Sequence, residues 1–231
     1  DDITDPVADV ATLDTIFAEC EVIAPTAPTA TDACVGTISA TPNVTFPIST
    51  QGNTTVTWTF DDGNGNSITQ DQVVAIEDVT PPVSSPIADA TDDCAITLTA
   101  PTLNDACVGV VTGTTLDPIT YSAQGSYVVQ WTFDDGHGNI TTENQNVIIA
   151  DATAPVPDIA TLATVNSECV VNIGDVTAPS ATDACTGAIT ATTPTAFPIS
   201  GQGSHTIEWN YDDGYGNIAT QFQTVVIDDI S

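Results

Sequence analysis

The sequence predicts an all-β protein, a tandem array of three immunoglobulin-like β-sandwich domains. One long motif recurs three times, the residues flanking it alternate apolar and polar with period 2, and no stretch carries the i, i+3, i+4, i+7 stripe of a helix. The motif is WTFDDGNGN at Trp58 to Asn66, WTFDDGHGN at Trp131 to Asn139 and WNYDDGYGN at Trp209 to Asn217, at spacings of 73 and 78 residues.

Each element of the repeat can be justified in chain order. A joint pattern opens each unit: DDITDPV from Asp1, EDVTPPV from Glu77 and ADATAPV from Ala150, with a truncated DDIS ending at Ser231. The chain therefore reads as a window cut from a longer array, with repeats at 1–78, 79–151 and 152–231, the last including the start of the next joint. TDAC at Thr31 to Cys34 follows, matched by NDAC ending at Cys107 and TDAC ending at Cys185. A Gln-Gly pair then precedes each Trp segment, at Gln51, Gln124 and Gln202. In that segment Val56, Trp58 and Phe60 fall on one face of a strand and Thr55, Thr57 and Thr59 on the other. The DDGxGN stretch is a turn, because glycine permits positive φ and Asn tolerates the left-handed region. A second alternating run follows with Val74, Ile76 and Asp78, so two strands around this turn close each unit as a hairpin. Units of about 75 residues with several short strands suit a small sandwich.

The joint D-x-T-x-P-V, the T-D-A-C element and the W-T-F-D-D-G-x-G-N hairpin, taken together and in order, resemble the hyalin-repeat (HYR-like) and related bacterial immunoglobulin-like domains. The resemblance covers all three units. It implies a β-sandwich module in the stalk, adhesin or fibre of a large extracellular protein at a bacterial cell surface. The partners it implies are neighbouring repeats and other copies of the chain in a fibre.

Six cysteines fall two per repeat: Cys20 and Cys34, Cys94 and Cys107, Cys169 and Cys185. Repetition favours one bridge inside each unit, contributing about 3 kcal/mol in the chain-entropy model. Pro25 and Pro28 would let the intervening segment curl back. Zinc is the competing reading, but two thiols per unit without a partnering His spacing suit it poorly. Disulfides place the protein outside the reducing cytosol.

Charge narrows the function further. Lys and Arg are absent while Asp and Glu number 31, for a formal net charge of −31, yet 41% of residues are hydrophobic, enough for packed cores. Phosphate neutralisation on nucleic acid, docking of a basic patch on a membrane, and P-loop or Schiff-base lysine chemistry all need cations this chain lacks. In an immunoglobulin-like topology the N-terminus of a domain and its BC and FG loops share one end. That would gather Asp2, Asp32, Asp61 and Asp62 at the first joint, Asp78, Asp105, Asp134 and Asp135 at the second, and Asp151, Asp183, Asp212 and Asp213 at the third. Clustered carboxylates need a counter-charge, and Ca²⁺, with 6–8 flexible oxygen ligands, suits Asp on loops. The expectation is one Ca²⁺ per joint, stiffening the array. Turn chemistry alone is the rival account of the DDG acids, and adaptation to high salt is a further account of the charge.

Catalysis is not expected. The paired carboxylates sit in repeated turns rather than one cleft, and His137 and His205 occupy non-equivalent positions. Trp58, Trp131 and Trp209 read as core. Asn43, Asn53 and Asn139 fit the N-x-[ST] pattern and are candidate glycan acceptors. Recognition of a glycan or protein through exposed loops is the alternative to a structural role.

Overall fold

The computed structural model describes residues 2–229, so Asp1 and the last two residues of the terminal DDIS motif lie outside the described residues. The chain divides into two compact units. One holds Asp1–Ile87, Ala100–Leu116 and Gln130–Glu143; the other holds Ala88–Thr99, Asp117–Val129 and Asn144–Ser231. The division passes through the second repeat.

In the first unit the expected hairpin forms over its full length. Gly52–Asp61 pairs antiparallel with Ser67–Ile76, from Gly52 opposite Ile76 to Asp61 opposite Ser67. Its turn depends on Gly63 (φ 76°) and Gly65 (φ 107°), conformations that a Cβ would strain. Val56, Trp58 and Phe60 are 0, 2 and 0% exposed, so the period-2 face is the core. Ile16–Ala18 joins this sheet parallel to the end of Ser67–Ile76, and Thr41–Pro42 completes it on the other edge. The facing sheet has Val7–Ala8, Thr29–Asp32 and Gly36–Ser39, with Thr29–Asp32 in the centre. The core between them adds Val22, Ala30, Ile38, Ala40, Ile48, Val74 and Ile76. Trp58 needs a partner for its buried N–H, and Gln72 Oε1 supplies it at 3.0 Å. The amide of Gln72 meanwhile donates to the Asp14 carbonyl at 3.0 Å and holds the preceding loop down.

The second unit repeats the design. Gly203–Asp212 and Ile218–Ile227 form the hairpin, and Val165–Ser167 runs parallel to Ile218–Ile227 on its outer edge. Val156–Pro157, Ser180–Asp183 and Gly187–Thr190 form the opposing sheet. Ile207, Trp209 and Tyr211 are buried among Val171, Ala181, Val225 and Ile227, and Gln223 Oε1 accepts from Trp209 Nε1 at 3.0 Å.

The second repeat has the same long hairpin, Gly125–Asp134 and Ile140–Ile149, with Ala90–Asp92 parallel to the latter. Its Thr102–Asp105 and Gly109–Thr112 pair antiparallel. Trp131 is 2% exposed, so all three tryptophans are core residues.

The cysteine pairing differs from the expectation. Cys20 bonds to Cys107 and Cys94 to Cys185, across 87 and 91 residues, so each bridge joins one repeat to the next. The reason lies in strand direction. Cys20 follows Ile16–Ala18, which runs parallel to the last strand of its repeat and ends at the outgoing end. Cys34 sits in the turn between Thr29–Asp32 and Gly36–Ser39, at the incoming end beside Thr4. The two cysteines of a repeat therefore sit at opposite ends, and the Pro25 and Pro28 segment does not bring them together. Cys34 and Cys169 are free and exposed.

Two outcomes follow. A non-reduced digest analysed by mass spectrometry yields the Cys20–Cys107 and Cys94–Cys185 peptide pairs, and recovery of Cys20–Cys34 would refute the pairing. Trp58→Ala costs about 3–5 kcal/mol in urea unfolding, whereas Phe222→Ala, at a side chain 63% exposed, changes stability little.

Candidate metal centre at the joints between repeats

The joint acids are placed by short local hydrogen bonds. Asp78 Oδ1 accepts from Thr80 N at 3.2 Å, and the backbone N–H of Asp78 donates to Gln51 Oε1 at 3.0 Å. The same Gln51 side chain donates through Nε2 to the carbonyl of Glu19 at 3.3 Å, next to Cys20. Gln124 does likewise, accepting from Asp151 N at 2.8 Å and donating to the Asp93 carbonyl, next to Cys94, at 2.8 Å. The recurrent Gln-Gly pair, to which the sequence lent no role, thus ties the joint acid to the cystine segment.

The second acid comes from the T-D-A-C turn. Asp105 Oδ1 accepts from the N–H groups of Cys107 and Val108 at 2.8 and 2.9 Å. Asp183 accepts from Cys185 and Thr186 at 2.8 and 3.0 Å, and Asp32 from Cys34 and Val35 at 2.7 and 3.0 Å. In each carboxylate one oxygen is fully used by the turn. These N–H groups hold the Asp32 carboxyl (Val35, then Cys34) and the Asp183 carboxyl (Thr186, then Cys185) below the usual carboxylate range.

The structure brings together Asp78, Asp105 and Cys107, and likewise Asp151, Asp183 and Cys185, and Asp2, Asp32 and Cys34. In each set one potential ligand atom per residue lies within 4.8 Å of the others. The second oxygens of Asp2, Asp78, Asp105, Asp151 and Asp183 are buried without a hydrogen-bond partner. Asp78, Asp105 and Asp183 are 4, 5 and 4% exposed. Buried, unpaired carboxylate oxygens facing each other are costly unless a cation or proton joins them.

The DDG acids are held mainly by their own turns. Asp62 Oδ1 accepts from the N–H groups of Asn64 and Asn66 at 2.8 and 3.1 Å, and Oδ2 from Asn66 Nδ2 at 2.7 Å. Asp135 and Asp213 repeat this pattern. Asn66 in turn donates to the Asp2 carbonyl at 3.3 Å, as Asn139 does to Asp78 and Asn217 to Asp151, so the turn braces the joint backbone. Asp61, Asp134 and Asp212 are exposed and accept from Gly63, Gly136 and Gly214 N–H at 2.8 Å. The side-chain nitrogen of Asn139, the atom that would carry a sugar, donates to the Asp78 carbonyl at 3.1 Å and to Asp135 Oδ2 at 2.7 Å. Asn43 and Asn53 are exposed.

The Asn66 side chain, with backbone N–H groups of its turn, holds the Asp62 carboxyl below the usual range despite burial. A depressed folded pKa contributes stability that is complete above the unfolded value and is lost as pH falls through the folded one. Asp62→Asn is therefore less stable than wild type at neutral pH. The difference in urea midpoint narrows once pH falls below about 3.9, and a difference that stays constant through that range would contradict the charge-based role.

Residues 6–76 match the family model of the HYR-like domain with 4 cysteines. No curated protein matches the chain in sequence. Among solved structures it is similar to protocadherin gamma B2 extracellular cadherin domains 1–5, with 13% identity, 98% of this chain and 60% of that one covered, and a TM-score of 0.31. It is also similar to mouse cadherin-23 EC22–24, with 11% identity, 96% and 98% coverage, and a TM-score of 0.27. The chain thus spans 60% of the length of the protocadherin fragment. No helix among the described residues is long and apolar enough to cross a membrane. The chain is built of tandem immunoglobulin-like repeats, the first of them HYR-like.

Proposed function

We propose that this chain is a non-enzymatic structural module of an extracellular fibre or adhesin stalk on a bacterial surface. Its repeats, 1–78, 79–151 and 152–231, serve as units of an array, and Ca²⁺ stiffens the joints between them. One observation carries the cation reading: Asp78 and Asp105, and equally Asp151 and Asp183, face each other with buried oxygens that no donor satisfies. The chain has no Lys or Arg to place there.

The donor set favours a hard ion. Cys107 and Cys185 sit in the same clusters, but both sulfurs are held in disulfides and offer no thiolate, leaving oxygen ligands. Asp78 and Asp105 would hold one ion and Asp151 and Asp183 another, with carbonyls and water filling the shell that Ca²⁺ requires. The DDG acids support the site from behind through Asn139 and Asn217. The shared loop motifs of all three units favour a repeated structural role over recognition by one of them.

Ca²⁺ at about 100 times its dissociation constant stabilises the native state by about 2.7 kcal/mol, so melting shifts upward in Ca²⁺ and returns in chelator at fixed ionic strength. Asp78→Asn with Asp105→Asn removes one binding event from a calorimetric titration and leaves that of the Asp151 and Asp183 pair. A melting temperature indifferent to chelator would end the calcium reading, and stabilisation by NaCl alone would favour adaptation to salt.

A further inference from the structure

Each observed bridge joins the first cysteine of one repeat to the second cysteine of the next: Cys20 to Cys107 and Cys94 to Cys185. The two free cysteines are the complementary kinds. Cys169 is a first cysteine and Cys34 a second one, and both are exposed.

Each also sits in a half-joint built like those already bonded. On the incoming side, Asp32 caps the N–H groups of Cys34 and Val35 as Asp105 caps those of Cys107 and Val108. Asp2 accepts from Thr4 N at 3.1 Å as Asp78 does from Thr80 N at 3.2 Å. Asn66 donates to the Asp2 carbonyl as Asn139 does to that of Asp78. Cys34 belongs to a cluster with Asp2 and Asp32 that matches the one around Cys107, and Asp2 Oδ2 is buried there without a partner. On the outgoing side, the strand before Cys169, Val165–Ser167, runs parallel to Ile218–Ile227, as Ile16–Ala18 before Cys20 runs parallel to Ser67–Ile76. Asp228 N donates to the Ser167 carbonyl at 3.0 Å, as Glu77 N does to Ala18. Asp229 N donates to Gln202 Oε1 at 2.8 Å, as Asp78 N does to Gln51.

We propose that Cys169 and Cys34 are the two halves of a joint of this kind, the outgoing end of one three-repeat segment meeting the incoming end of another, here a second copy of this chain, with Cys169 of the first bonded to Cys34 of the second. The bond forms by exchange with a small disulfide such as oxidised glutathione. The Cys169 thiolate attacks one glutathione sulfur and expels a glutathione thiolate. The Cys34 thiolate then attacks the Cys169 sulfur of the mixed disulfide and expels the second. Two protein thiols and one glutathione disulfide become one protein disulfide and two glutathione thiols, so atoms and electrons balance. The link does not depend on Ca²⁺, since it is defined by which sulfurs join.

The test uses the intact chain with its two internal bridges, incubated with oxidised glutathione at physiological ionic strength so that repulsion between acidic copies is screened. Non-reducing electrophoresis should give a ladder of covalent oligomers, and peptide mapping should assign the new bond to Cys169–Cys34. Cys34→Ser and Cys169→Ser each lose the ladder, and an equimolar mixture of the two variants restores one step, a dimer. Unchanged tryptophan fluorescence confirms that the variants fold. Like-with-like bridges, Cys34–Cys34 or Cys169–Cys169, forming as readily as the mixed bond would overturn the proposal. So would monomers whose thiols are capped by glutathione without cross-linking.

Discussion

The constraint on which the rest of the structure depends is that 31 acidic side chains share a chain with no lysine and no arginine. No buried carboxylate can be stabilised by a salt bridge to either, so backbone N–H groups and side-chain amides do that work. Asp32, Asp105 and Asp183 each take two N–H groups from the turn that follows them, and Asp62, Asp135 and Asp213 take two N–H groups and an Asn amide. This accounts for the preference for Asp, at 25 residues, over Glu, at 6. A short side chain reaches the N–H groups two to four residues ahead, whereas a longer one overshoots them. What these donors leave over is one buried oxygen on each of Asp78, Asp105, Asp151 and Asp183.

Much of the fold was legible because its strongest signals are local. The alternation of Val56, Trp58 and Phe60 against threonines needed only the pleat of a strand to be read, and the glycines of DDGxGN announced the turn. The convergence of the T-D-A-C turn and the DDG turn on the preceding joint also followed from the topology, and the Asn66, Asn139 and Asn217 contacts show it in atoms. The cysteine pairing was hidden because proximity in sequence is a poor guide here. Cys20 and Cys34 are 14 residues apart, yet the strand before Cys20 lies parallel to the last strand and the turn at Cys34 lies by the first joint residues. A parallel pairing between a three-residue strand and a partner far along the chain leaves no periodic trace in the sequence.

The division of labour within the DDG motif was equally invisible. Two adjacent aspartates look interchangeable in sequence, but consecutive residues at a hairpin end point to opposite sides. Asp61 faces solvent, and Asp62 turns inward onto its own loop. The recurrence of Gln before each Trp segment was visible, but its purpose was not. Only the structure shows one amide holding both the joint acid and the carbonyl beside the cystine.

The two cystines overlap along the chain, since Cys94 lies inside the loop closed by Cys20 and Cys107. Under tension the shortest covalent route runs from Cys20 across to Cys107, back through 13 peptide bonds to Cys94, and across again to Cys185. The Trp58 and Trp131 hairpins hang outside that route. A pull on the chain would load sulfur–sulfur bonds and one short backbone segment, whose reach is set by about 3.3–3.6 Å per residue. However many hairpins melt, the span between Cys20 and Cys185 is capped by two cystines and the stretch of chain from Cys94 to Cys107.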